Sequence, residues 1–181
     1  RRRGGNWWQM NETLWRLSHR CDPAARKLAD RHYNRQSIGA ANFVPPGRCM
    51  VLTHGDPVSA FWVTSWPFAE YTKHEWAGAW ICSAFRREGG CRASDLICSA
   101  VAATRAVFGD PPELGMVTFI DRSKVPPIHT RKGDVWGYTY LRAGFRLVGE
   151  TKVNKLLAFQ LMPDDMPEPL EPSGFQQSMF R

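Results

Sequence analysis

Apolar residues come in short runs set off by turn-forming residues, and the spacing inside each run predicts its element. Asp22-Pro23 puts a capping carboxylate before a proline at the first helical position. Ala24, Leu28, Ala29 and Tyr33 then recur at helical spacing, which predicts a helix over residues 23–34. The segment from Ser37 to Arg48 ends in Val44-Pro45-Pro46-Gly47-Arg48, and its prolines and glycines keep it irregular. Runs at 49–53, 58–66 and 78–86, rich in Val, Trp, Phe and Ile, predict strands, and the His54-Gly55-Asp56-Pro57 turn makes the first two a hairpin. The basic loop Arg86-Arg87-Glu88-Gly89-Gly90-Cys91-Arg92 follows. Ser94 is expected to cap a helix carrying Ile97, Val101, Val107 and Phe108, stopped by Gly109 and Pro111-Pro112. A strand at 115–120 ends at Asp121, and a polar, basic loop runs on to Gly133. A short helix at 135–142 and strands at 145–150 and 154–161 complete the pattern.

Mixed strands around one central strand-loop-helix unit predict an α/β (α+β) domain with a mixed central sheet and helices on both faces. Three parts are expected. Residues 1–21 form a basic, aromatic extension of low regularity with Trp7, Trp8 and Trp15 among arginines; residues 22–162 form the domain; residues 163–181 form an acidic, proline-rich tail, disordered or loosely docked.

Charge sharpens the picture. The net charge is +7, and residues 1–35 hold nine Arg or Lys against three acids. Four cations and no acid lie between Arg122 and Lys132, whereas residues 163–181 hold four acids and one Arg. A basic body points to a polyanionic partner, nucleic acid ahead of membrane. Five cysteines without a CxxC pair suggest reduced, intracellular thiols rather than disulfides or a zinc finger. No apolar run reaches the roughly 18 residues a membrane span needs.

The strand-loop-helix at 78–108 is suited to an anion, because a helix N-terminus presents backbone N–H groups and about half a positive charge. Arg86, Arg87, Gly89, Gly90, Arg92 and Ser94 are the candidate cofactor-binding residues there. Downstream, Tyr138-Thr139-Tyr140-Leu141-Arg142-Ala143-Gly144-Phe145-Arg146-Leu147-Val148-Gly149 resembles the closing motif of the GNAT acyltransferase superfamily. By that resemblance the fold is GNAT-like, the glycine loop holds a pyrophosphate, and Tyr140 is the general acid that protonates a departing thiolate. A Tyr suits the task because its ordinary pKa near 10 keeps it protonated at pH 7. The loop matches the superfamily's Arg/Gln-x-x-Gly-x-Gly/Ala only in part, reading Arg86-x-x-Gly89-x-Cys91 or Arg87-x-x-Gly90-x-Arg92.

Leu28-Ala29-Asp30-Arg31-His32-Tyr33-Asn34-Arg35, with Phe43 to Arg48 after it, resembles the Mom family of phage DNA-modification proteins, a divergent GNAT-like branch. The resemblance spans roughly residues 22–161. It implies conversion of adenine in DNA to N6-carbamoylmethyladenine in the cytoplasm of an infected bacterium, which shields phage DNA from restriction. It carries the His-Tyr signature onto His32 and Tyr33. Asp121, at a strand end, and Asp134, which alternatively caps the next helix, join them as candidate catalytic groups. Arg31, Arg35, Arg48, Arg131, Lys132 and Trp136 are candidate nucleic-acid contacts, Trp136 by stacking on a base or else by ordinary packing.

Adenine N6 is paired inside a duplex, so an enzyme acting on it is expected to flip the base out. A carbamoylmethyl group is joined through a methylene carbon, so acyl transfer from acetyl-CoA does not make it. Either another donor or a metal-assisted step is needed, and an iron held by His32, Asp121 or Asp134 and a Tyr is one arrangement. Double-stranded DNA is the expected partner, with a homodimer among the alternatives. Two further readings stand beside this one. An acetyl-CoA-dependent N-acetyltransferase on a small amine or protein would bind acetyl-CoA without DNA; a non-catalytic DNA-binding module would keep its DNA affinity after His32→Ala and Tyr140→Phe.

Overall fold

The structure, a computed structural model, describes residues 12–175. Its strands are β1 (Arg16–Ser18), β2 (Arg48–His54), β3 (Ala60–Trp66), β4 (Trp80–Arg87), β5 (Met116–Ile120), β6 (Ile128–Thr130), β7 (Gly133–Val135), β8 (Arg146–Glu150) and β9 (Leu157–Leu161). The helices are α1 (Pro23–Ala29), α2 (Ala93–Phe108) and α3 (Tyr138–Arg142). Seven strands make one sheet in the order β1-β2-β3-β4-β5-β9-β8, antiparallel except for the β4–β5 pair, and β6–β7 is a separate two-stranded hairpin. The chain is therefore an α+β protein with a mixed sheet.

Alternation along the strands sorts side chains to two faces. Met50, Leu52 and Trp62 turn to one core, while Val51, Phe61 and Val63 turn to the other. With both faces apolar, both must be covered. Ala25, Leu28 and Ala29 of α1 cover the second face, and Leu96, Ile97, Ala100, Val101 and Ala103 of α2 cover the first.

Several expectations give way to stronger local interactions. The first helix is shorter than 23–34. Asp22 caps it as expected, accepting from the N–H groups of Ala24 and Ala25, but the chain leaves the helix at Asp30. There the Asp30 carboxylate takes hydrogen bonds from Arg35 Nε and Gly39 N, which reverses the chain direction. The second helix begins at Ala93 with Arg92 in the capping position, so Ser94 is not the cap; its hydroxyl meets Asp95 instead. The third helix starts at Tyr138 behind Gly137, whose positive φ of 65° and contact with the Phe159 ring leave no room for a Cβ. Asp134 therefore does not cap it. The expected irregular loop from Asp121 to Gly133 contains the β6–β7 hairpin.

Both ends of the described chain belong to the fold. Trp15 is buried with its indole N–H donated to Leu96 O, and the residues after it form the edge strand β1. Residues 163–175 pack across α2 rather than trailing away: Met166 is buried, Leu170 N donates to Ala102 O, and Ser173 pairs with Trp15 and Arg16. Trp7, Trp8 and residues 176–181 lie outside the described residues. Among the described residues no helix is long and apolar enough to cross a membrane, and all five cysteines are free.

Candidate active site

β4 pairs with β5 only at Trp80↔Met116, Ile81↔Val117 and Cys82↔Thr118. Beyond that point β4 continues along β3 to Arg87 while β5 continues along β9 to Ile120. The parallel pair thus opens at its C-terminal end, where open α/β sheets place their ligands. A cleft of about 390 Å³ fills the opening, lined by residues 82–87 of β4, Thr118 to Ile120 of β5, His32, Tyr33 and Tyr140.

His32 and Tyr33 reach it from the turn after α1. Their rings stack with centroids 4.6 Å apart. The Tyr33 hydroxyl donates to Phe119 O at 3.2 Å, and His32 Nδ1 lies 2.5 Å from Asn34 Oδ1. Asn34 in turn donates its amide to Ser83 O at 2.9 Å, tying the turn to β4. Burial lowers the His32 pKa from its ordinary 6.5, with Arg86 acting in the same direction, while Asn34 and the Phe85 backbone oppose it. The imidazole is therefore neutral at pH 7. Burial likewise pushes the Tyr33 phenol up to about 12, and the cleft keeps it protonated.

Tyr140 enters from α3 on the other side. Its ring packs edge-on against Phe85 and Phe145 and its hydroxyl lies 3.5 Å from the Cys82 thiol, at the point where the strands part. Burial raises its pKa well above 10, so it too remains a donor. Burial also pushes the Cys82 thiol up to about 12, which removes it as a nucleophile.

The loop from β4 to α2 leads out of the cleft at Arg87 and meets it again at Ala93. Arg87 folds back to donate to the carbonyls of Gly90 and Cys91. In a trans peptide the C=O of one residue points opposite the N–H of the next, so holding these carbonyls turns the following amides the other way. Among the described residues the backbone N–H groups from Gly89 through Ser94 have no hydrogen-bond partner. A row of free amides running into the start of a 16-residue helix suits a phosphate.

The remaining sequence candidates divide. Arg31 and Arg86 are both bound by Glu88, through contacts of 2.6 Å and 2.7 Å, which holds the Glu88 carboxyl down at about 2. One carboxylate offsets only one of the two guanidinium charges, and the shared contact braces the turn after α1 against β4. Arg35 is nearly buried, bound to Asp30 and donating to Asn42 O and Ala40 O, so its guanidinium is committed to shaping its own loop. Arg48 stacks over Trp66 and Phe108 at the start-of-β4 end of the sheet, away from the cleft. Trp136 donates its indole N–H to Val125 O and packs on the core, the packing alternative. Arg92 is exposed at the loop's end, and Arg131 and Lys132 form the exposed tip of the β6–β7 hairpin.

Asp121 and Asp134 are each held by local partners. Asp121 accepts from Ser123 N and Oγ, and Asp134 holds His129 across the hairpin. Among the described residues no group of three or more His, Cys, Asp or Glu side chains could hold a metal ion. Glu88, Asn34 and Ser83 were not singled out from the sequence. One signal was available for Glu88: it is the lone acid in a loop of three arginines. Compared with protein-family models, curated proteins and solved structures, the chain finds no match.

Proposed function

We propose that the chain is a group transferase that modifies adenine in DNA, converting it to N6-carbamoylmethyladenine and so protecting phage DNA from restriction. The observation that carries the reading is the opening between β4 and β5, with a neutral imidazole on one side, a protonated Tyr140 on the other and a loop of unbonded amides that reaches the cleft at Ala93. The net charge of +7 favours a polyanionic acceptor substrate over a small neutral one.

The chemistry follows from those groups. The donor carries a carbamoylmethyl group on a leaving group, and its phosphates lie on the amides of residues 89–94. N6 of a flipped adenine attacks the methylene carbon, forming the N–C bond as the bond to the leaving group breaks. His32 takes the N6 proton, and the leaving group departs with the electron pair and receives the Tyr140 proton. No oxidant or reductant is required. Positioned acid–base groups of this kind contribute roughly 10²–10⁴-fold in rate.

A second reading draws on the same amide row, which equally suits the pyrophosphate of coenzyme A: an acetyl-CoA-dependent N-acetyltransferase acting on a small amine or a protein. Mass spectrometry of nucleosides from bacteria expressing the chain separates the two. An adenosine heavier by a carbamoylmethyl group, lost in His32→Ala, supports the DNA reading. Unmodified DNA together with acetylation of an amine by purified protein supports the second.

A further inference from the structure

The cations around the cleft differ in what they have left to offer. Arg31 and Arg86 are bound to Glu88, Arg35 to Asp30, Arg122 to Glu150 and Lys124 to Asp121. Arg131 and Lys132 are exposed and form no ion pair among the described residues. They sit at the tip of β6–β7, a hairpin that belongs to no larger sheet.

The hairpin is a built arm. Its tip is shaped by Thr130, whose hydroxyl donates to Gly133 O at 2.7 Å and accepts from Lys132 N. His129 and Asp134 face each other across the strands at 2.5 Å and fix the register. At the root, Trp136 is pinned to Val125 O and Gly137 is wedged against Phe159. The inward side chains Ile128 and Val135 meanwhile line the cleft. One element therefore has an apolar inner side on the reaction cleft and a cationic outer tip.

We propose that this hairpin is a groove-binding ribbon for duplex DNA, which rests on the DNA reading of the site. A two-stranded ribbon matches the major groove, about 12 Å wide, where the N6 amine of adenine is displayed. Each three-residue strand reaches about 10 Å. With the ribbon in the groove, Arg131 and Lys132 meet the flanking phosphates, and Ile128 and Val135 keep the cleft wall beside the groove.

The test is fluorescence anisotropy of an end-labelled DNA duplex across a sodium chloride series, with wild type, the double variant Arg131→Ala/Lys132→Ala and the charge-preserving Arg131→Lys/Lys132→Arg. Two lost phosphate contacts lower the slope of log K against log salt by about 1.8, at roughly 0.9 per contact. The charge-preserving variant should retain the wild-type slope, and all three should melt at the same temperature because the tip packs against nothing. An unchanged slope in the alanine variant, or no salt-dependent duplex binding by wild type, overturns the proposal. So does an equal loss on a labelled polyglutamate peptide, which would assign the tip to acidic protein surfaces. Nucleoside analysis in cells reports separately: modified adenine made equally by wild type and the alanine variant sinks the ribbon and leaves the DNA reading standing.

Discussion

β4 has two neighbours, and it treats them differently. Against β3 it pairs from Ser65↔Ile81 to Ala60↔Arg87, nearly its whole length; against β5 it pairs for three residues and then departs. The closed seam lies over Trp62, Phe61 and Val63, each fully buried, whereas the open seam is lined by His32, Tyr33, Thr118 and Tyr140. The same strand thus carries packing on one side and the candidate site on the other. Stability should concentrate in the closed seam and activity in the open one, so substitutions on the two sides should separate the two properties.

The largest effect is expected from breaking the closed seam. Trp62→Ala removes a fully buried side chain whose indole N–H donates to Thr64, and should cost about 3–5 kcal/mol in urea unfolding, enough to unfold a marginal domain. On the open seam Tyr140→Phe removes only a hydroxyl, whose partner is a thiol 3.5 Å away. Stability should change by less than about 1.5 kcal/mol, while product formation falls on the order of 10²-fold or more. A variant equally active, or one that fails by unfolding, would erase the distinction.

The smallest effect sharpens the comparison at the rim. Glu88 titrates at about 2 in the folded protein because Arg31 and Arg86 bind its carboxylate, against an ordinary value of 4.5. A carboxyl lowered by folding adds stability that is present above about 4.5 and is lost as pH falls toward 2. The groups are solvent-accessible, so the whole contribution should stay below about 1 kcal/mol. Denaturant unfolding of Glu88→Gln against wild type should show that small gap near neutrality and no gap at the acid end.

How much of this was legible in the chain follows from the range of each interaction. Short apolar runs bounded by turn residues located β2, β3, β4, β5, β8 and β9 to within a few residues, because each is long enough to stand out as a run. The β6–β7 hairpin was not visible: its strands are three residues each, and their order comes from the Thr130 turn and the His129–Asp134 pair. Trp15 read as part of an irregular arm because its place in the core depends on Leu96, 81 residues away. Within the site, His32, Tyr33 and Tyr140 were identified from motif resemblance, and the structure brings all three to one cleft. Residue type alone did not show that Asp30 engages Arg35, that Trp66 and Phe108 engage Arg48, or that His129 engages Asp134, since a cation or a carboxylate in sequence does not reveal its partners. The glycine loop and helix start at 89–94 were legible as an amide-rich segment, because the glycines and the helix N-terminus mark it in sequence, and its N–H groups are without partners among the described residues.

The most direct measurement compares the two ends of β4 in one assay: nucleoside mass spectrometry of DNA from cells expressing wild type, His32→Ala, Tyr140→Phe or Arg48→Ala at equal soluble levels. The account predicts modified adenine from wild type and Arg48→Ala, with the yield collapsing in the two open-seam variants. Modified adenine at the same level in all four, or lost only in Arg48→Ala, would contradict it and move the chemistry away from the opening between β4 and β5.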